Sequence, residues 1–394
     1  MTMKNPRDPA DQSSRMTLMR GVVALALLLC LPAGLRCAPA DTALPQPRFA
    51  CAIHAPGGKW STAARWISGL SDSAFVSTLS PEQQDAWGEF ARLSNSDWAK
   101  LRKQYLDRID VWRNGNLGNA PARDVAFYPF GGPDAANLLT FFPEARDYIM
   151  LGLEPVGCIP SAIADYTPDY FAQLRQSLSS VVASGFFITA DMRRDVTKTD
   201  LNGVLPLLLF LISRAGFSIT NVVPIGISPA GVVAPYASLP KVETFGVSIQ
   251  FNDPRHGTRT LRYFSLNLTD GKLAHKPGTT AYLRGLPATI TLVKAASYLM
   301  HRPFFSIIRD TILSKSRVLV QEDSGIPYHY FDPSAWDLRL YGTYSEPIPL
   351  FKKWHQEDLR IAYSAAAGVQ PLDFGMGYRR RGQANLMVAV RKTK

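Results

Sequence analysis

The sequence predicts an α/β fold: a Rossmann-like, mostly parallel sheet with helices on both faces, an antiparallel β-hairpin insertion and a helical N-terminal lead-in. Three observations predict it. Short apolar runs, "VAFYPF" (125–130), "DYIMLGLEP" (147–155), "TITLVKA" (289–295) and "RVLVQED" (317–323), alternate with helical patterns. That alternation argues for parallel strands covered on both faces. One segment breaks the rhythm, because "VETFGVSIQFND" and "RTLRYFSLNLTD" alternate with period two around "PRHG", which reads as a hairpin turn. Ahead of the first strand the pattern is helical. The expected organisation is therefore a signal peptide over 1–40, a lead-in over 41–120, and an α/β domain over 121–394 with a β insertion near 242–270.

The elements follow in order. Arg15 and Arg20 precede the apolar run from Gly21 to Gly34, and Ala38 and Ala40 then stand in an A-x-A arrangement. This is the pattern of a secretory signal peptide cleaved after Ala40. An uncleaved anchor is the weaker reading, since the run falls short of the roughly 20 residues that span a bilayer. Met16 would give a more compact signal than Met1. Five basic and two acidic residues leave with the peptide, so the net charge falls from +11 to +8. Cys51 and Cys158 are then the remaining cysteines; one disulfide and two buried thiols are both compatible with export. Residues 41–59 are rich in Pro, Ala and Gly and read as extended.

Ser80, Pro81 and Gln83 form a capping-box start, and Ser96 reads as the N-cap of a second helix. In it Trp98, Leu101, Tyr105, Ile109 and Trp112 recur at spacings of three and four, a packing face. "NGNLGNAP" reads as a loop. Helices are expected at "DAANLLTFF", "PDYFAQLRQSLSSVVASG", Leu205–Arg214 and "FFSIIRDTILSKS", and "NLMVAVRK" reads as a final strand. The apolar run near Leu205 is stopped by Arg214, which suits a core helix and leaves no transmembrane span after signal cleavage.

The candidate chemistry lies at strand ends. Gly131 and Gly132 follow the first strand, and Glu154 ends the second about twenty residues later, the spacing of a nucleotide site in which glycines let the ligand approach and an acid meets the ribose. The plainer reading is that Asp134 caps the next helix and Gly-Gly-Pro shapes the turn. Glu322 and Asp323, with Ser324 and His329 nearby in sequence, are the second polar concentration and the place to look for acid/base catalysis. No zinc-protease, nucleophile-elbow or P-loop motif is present.

On Gly131, Gly132, Glu154 and the 289–323 stretch, residues 124–323 resemble the class I S-adenosylmethionine-dependent methyltransferase fold. That resemblance implies Gly131 and Gly132 beside the cofactor's methionine part and Glu154 on its ribose. The chain departs from the family in placing Pro133 and Asp134 where a G-x-G pattern would continue. "YPFGGPD" with "FFPEARDYIMLGLEP" is similar to exported bacterial proteins of unassigned function.

The sequence thus predicts a periplasmic or secreted protein that binds a small or anionic ligand at the carboxyl edge of its sheet, through Gly131, Gly132, Asp134 and Glu154. A non-catalytic cell-envelope protein acting through its surface is the alternative, and a hydrolase or transferase using Glu322 and Asp323 the third. The basic balance points to an anionic envelope component as partner, with "YRRRG" (Tyr378–Gly382) its densest cluster and a solvated loop its ordinary reading. Export argues against a nucleic-acid role.

Overall fold

A computed structural model of the chain describes residues 55, 59–70, 76–77, 79–117, 125–160, 166–185, 201–365 and 368–392. The expected signal peptide and Cys51 lie outside the described residues. Ten strands among the described residues form one mixed sheet in the order β4-β3-β5-β6-β2-β1-β7-β8-β10-β9. In chain order they are β1 (Val125–Tyr128), β2 (Asp147–Gly152), β3 (Ser218–Ile227), β4 (Val233–Pro235), β5 (Thr244–Asp253), β6 (Gly257–Ser265), β7 (Thr289–Val293), β8 (Ser316–Gln321), β9 (Trp336–Gly342) and β10 (Asn385–Arg391).

The expectation of a mostly parallel sheet is corrected. Five strands, β6-β2-β1-β7-β8, form a parallel block through four pairings. The other five pairings, β3 with β4 and β5, β5 with β6, and β10 with β8 and β9, are antiparallel. Chain connectivity supplies the reason: β5 and β6 are joined by three residues, with Asp253 opposite Gly257, and so short a link permits only an antiparallel partner. The expected insertion is also redrawn. Its second strand, β6, pairs in parallel with β2 from Asp147↔Thr260 to Gly152↔Ser265, so half of the hairpin belongs to the parallel block.

Helices cover both faces. On one lie α1 (Trp60–Ile67), α2 (Pro81–Leu101), α3 (Asp107–Asn116), α4 (Ala135–Phe141), α5 (Pro168–Ser184) and α6 (Leu205–Arg214); on the other lie α7 (Asp270–Ala274), α8 (Pro277–Arg284), α9 (Ser306–Lys315) and α10 (Glu357–Ala365). The period of two along each strand divides the core between them. Ala126, Tyr128, Tyr148, Met150, Ile290 and Leu292 pack with the first set. Phe127, Ile149, Leu151, Val293 and Leu319 pack with the second.

α2 begins as expected: Ser80 accepts from the Gln83 amide and Gln83 reaches back to the Ser80 amide. Ser96, expected to cap a second helix, instead lies inside α2, which runs on through a π-helical turn (Arg102–Leu106) into α3. The lead-in shares the core of the sheet. Trp66 stacks on Trp87 at 5.0 Å and meets Phe171 of α5 edge-on, while Trp112 is surrounded by Phe141, Tyr341 and Phe374. No helix among the described residues is long and apolar enough to cross a membrane.

Candidate functional site at the carboxyl edge

β2, β1, β7 and β8 are neighbours in the parallel block, so the residues that follow them meet at one edge of the sheet. After β1 the chain turns sharply: Phe130 and Gly132 have φ of 64° and 51°, and Asp134 caps α4, accepting from the Asn137 amide at 3.4 Å. The turn is packed by the protein itself. A Cβ on Gly131 would come within 2.7 Å of the Tyr128 ring, and one on Gly132 within 3.3 Å of Glu154 Oε2. The glycines are thus accounted for by Tyr128 and Glu154.

Asp134 does more than cap. Its Oδ2 forms an ion pair with Lys294 Nζ at 2.9 Å, both side chains only 3% exposed, and it accepts from the Tyr128 hydroxyl at 3.2 Å and from Asn137 Nδ2 at 3.1 Å. Lys294 and Asn137 both donate to the carbonyl of Gly185, the left-handed residue that ends α5. One buried pair therefore ties the β1 turn, the end of β7 and the end of α5. Burial, reinforced by the Asp134 charge, holds the Tyr128 hydroxyl far above its ordinary pKa, so it acts as a donor at all relevant pH. Lys294 was not among the expected site residues. Its signal is a lysine directly after the buried strand "TITLV", where an ammonium needs a buried partner.

Glu154 is 3% exposed and lies directly against the β1 turn, where the spacing predicted a ligand between the glycines and the acid. Tyr263 of β6 donates to the Glu154 carbonyl at 2.8 Å and approaches its Oε2 at 3.4 Å. A Cβ on Gly152 would sit 2.7 Å from that oxygen and 2.8 Å from the Gly132 Cα. This tight packing demands glycine at the end of β2.

Glu322 and Asp323 follow β8 and are both buried. Glu322 accepts from the Ala295 amide at 2.9 Å, the Ser324 amide at 3.1 Å and the Ser324 hydroxyl. Asp323 accepts from the Tyr298 hydroxyl and from Asn385 Nδ2 at 2.7 Å, while Asn385 Oδ1 accepts the Asp323 amide at 2.8 Å. Burial, and secondarily the neighbouring Asp323 charge, pushes the Glu322 carboxyl from 4.5 up to about 8, against hydrogen bonds from Ser324 and Ala295 that pull it down. At neutral pH Glu322 is mostly protonated.

The loop after β7 is moulded on these groups. Ala295, Ser297 and Tyr298 have φ of 52°, 54° and 55°, a left-handed conformation costing about 1 kcal/mol or more each for residues with a Cβ. Ser324 answers that strain, its hydroxyl accepting the Ala296 amide and its carbonyl the Tyr298 amide. A segment near the C-terminus closes over the pair. Gly377 packs so tightly on Glu322 that a Cβ would overlap the carboxyl, and the Tyr378 hydroxyl donates to the Ala295 carbonyl at 2.8 Å. "YRRRG" is therefore anchored in the site by its tyrosine, with Arg379 on the Glu346 carbonyl and Arg381 on Asp373. Beside the pair remains a cavity of about 10 Å³ lined by Glu322, Asp323, Tyr328, Gln356 and Asn385, room for about one water.

His329 does not join Glu322 and Asp323. Its ring lies against Tyr330, with Nδ1 4.0 Å from Asp358, and its side chain is 66% exposed. His301, missed in the sequence, is the nearer imidazole: it packs edge-on against Tyr298 at 5.1 Å, and burial lowers it to about 4, leaving it neutral. Nothing in its sequence context marks it. Cys158 is buried, and Cys51 lies outside the described residues. Among the described residues no cluster of three or more His, Cys, Asp or Glu could hold a metal ion.

The edge is acid-rich. Four carboxyl groups, on Asp134, Glu154, Glu322 and Asp323, gather with one ammonium, on Lys294. The Asp134 charge is countered by Lys294 and Glu322 is mostly protonated at neutral pH, so the edge is less anionic than its four carboxyl groups alone would make it. No protein-family model matches the chain, and no curated protein matches it.

Proposed function

We propose that the protein is exported by a signal peptide cleaved after Ala40 and binds a small hydroxyl- or amine-bearing molecule at the carboxyl edge of a Rossmann-like sheet. The observation that carries this reading is the convergence of Asp134, Lys294, Glu154 and Glu322 on adjacent ends of β1, β7, β2 and β8. Numbered by its own succession along the chain, the block runs 3-2-1-4-5, as in dinucleotide-binding sheets, which take their ligand where the order reverses, beside the first strand. Asp134 and Lys294 face each other across that point. Clustered left-handed residues support the same place, since such strain gathers at binding sites. The anionic part of the expected ligand range loses support because the cation at this edge, Lys294, is already paired with Asp134. The methyltransferase resemblance gains from the strand order, while Glu154 packed on Gly132 leaves its ribose role resting on a shift of that side chain.

Native mass spectrometry of the mature protein tests the reading. A co-purifying neutral or amine-bearing small molecule, lost in Glu154→Ala with folding intact, is the expected result; an empty protein whose cellular phenotype survives Glu154→Ala and Lys294→Met sinks it. The second reading, an envelope protein acting through its surface, is favoured by one observation: Asp134, Glu322 and Asp323 are already supplied with donors by the chain itself. It predicts that substitutions at Arg379 to Arg381, not at the edge, abolish partner binding. For an enzyme, Glu322 is the group poised to pass a proton near neutral pH. Cys51 is proposed as the partner of Cys158.

A further inference from the structure

A second polar cavity, of about 240 Å³, opens at the opposite, amino-terminal edge of the parallel strands. α2, the π-helical turn, α3, α4 and α6 surround it, together with Pro143 shortly before β2 and Arg255 in the β5–β6 turn. Four arginines, Arg102, Arg113, Arg214 and Arg255, and two aspartates, Asp107 and Asp110, are among the residues that line it. Arg102 is paired with Asp107 at 2.8 Å, and Arg113 with Asp110 and Glu144 at 2.9 and 3.0 Å. Arg255 shares Asp253 with Arg259, at 3.8 and 3.4 Å.

Arg214 differs from these. It is 8% exposed, and its donors go to neutral acceptors: the Ser68 carbonyl at 2.6 Å, the Gly69 carbonyl at 3.4 Å and Asn95 Oδ1. Among the described residues no carboxylate pairs with it. What offsets its charge is the C-terminal end of α1, whose carbonyls it meets at Ser68 and Gly69; that is a partial negative charge and not a full counter-ion, and the residue borders a cavity large enough for a small molecule. Apart from Thr140 the remaining wall is apolar, with Trp98, Leu106, Leu139 and Phe217. The volume lies just under that of drug-sized pockets.

We propose that this cavity binds a small organic phosphate, its phosphoryl group countering Arg214 with Arg255 and Arg102 at the rim, and its organic part lying on the apolar wall. Guanidinium groups suit the role because their planar forks match the oxygens of a tetrahedral anion. The site is separate from the carboxyl edge and does not depend on it.

Calorimetric titration of the mature protein with phenyl phosphate at low ionic strength tests the proposal. Saturable binding is expected, weakened about tenfold or more by Arg255→Glu, since a charge-assisted contact contributes on that order, and weakened again by added salt. Arg214→Gln should abolish it with an unchanged circular dichroism spectrum. Because Arg214 also holds the end of α1, the exposed Arg255→Glu keeps the test decisive if Arg214→Gln fails to fold. No heat with phenyl phosphate, or an affinity unmoved by Arg255→Glu, overturns the proposal. Inorganic phosphate binding as tightly as phenyl phosphate overturns the organic assignment. Binding to phosphatidic acid vesicles without binding to phenyl phosphate would place the phosphate on a lipid headgroup and overturn the small-molecule assignment.

Discussion

A glutamic acid that keeps its proton near neutral pH makes folding sensitive to base. Glu322 has its folded pKa raised from 4.5 to about 8, so between those values the folded chain holds a proton that the unfolded chain has released. Stability contributed by this group is therefore present below about pH 4.5 and declines as the pH rises toward 8. Glu322→Gln, which mimics the protonated form, should flatten that decline and leave the variant more stable than the parent above pH 8. Urea midpoints measured across the range check this; an unchanged slope refutes it. Asp134 and Lys294 make the complementary case. Removing one partner strands a buried charge, so Asp134→Ala or Lys294→Ala should each cost about 3–5 kcal/mol. The double variant should cost clearly less than the sum, as a double-mutant cycle by denaturant unfolding would show. The acids at this edge were legible as strand-end residues, because a carboxyl after an apolar run stands out. Lys294, Tyr298 and His301 were not singled out, since their roles come from the strands and loops beside them.

At the scale of the element, local chemistry was legible where it is self-contained. Ser80 and Gln83 complete their capping box within four residues, and Ser80→Ala should destabilise the protein by about 1 kcal/mol in the same unfolding assay. Ser96 shows the limit: a serine before an apolar run has the form of a cap, yet packing of the surrounding helix carried α2 straight through it. The glycine turn behaves likewise. Gly132→Ala would combine a φ of 51° with a contact of 3.3 Å to Glu154, and a loss of about 1–2 kcal/mol is expected. β1, β2, β7 and β8 were visible because buried parallel strands are continuous apolar runs. β3 and β9 were not identified: β3 is broken by Asn221 and Pro224, and β9 alternates charged residues along the sheet's edge, as in "WDLRLYG".

For the molecule as a whole, the proposed export is open to direct measurement. The intact mass of protein recovered from the periplasm or medium should correspond to a chain starting at Asp41. If Cys158 is bridged to Cys51, reduction should lower stability by about 2–4 kcal/mol, as loss of a long-loop disulfide does; an unmoved melting temperature in reductant refutes that pairing. The chemical order of the residues already decided the caps at Ser80 and Asp134, the buried strands of the parallel block and the two covered faces. All of these follow from local propensity, or from a periodicity that any packing must respect. Only the tertiary structure decided which strands lie side by side, that β6 joins the parallel block while its hairpin partner does not, that Lys294 neutralises Asp134, and that Tyr378 closes the acid edge. Those facts depend on strand order and on contacts between residues 83 to 160 positions apart, as in Tyr378 with Ala295 and Lys294 with Asp134, and neither composition nor spacing specifies a partner at that distance.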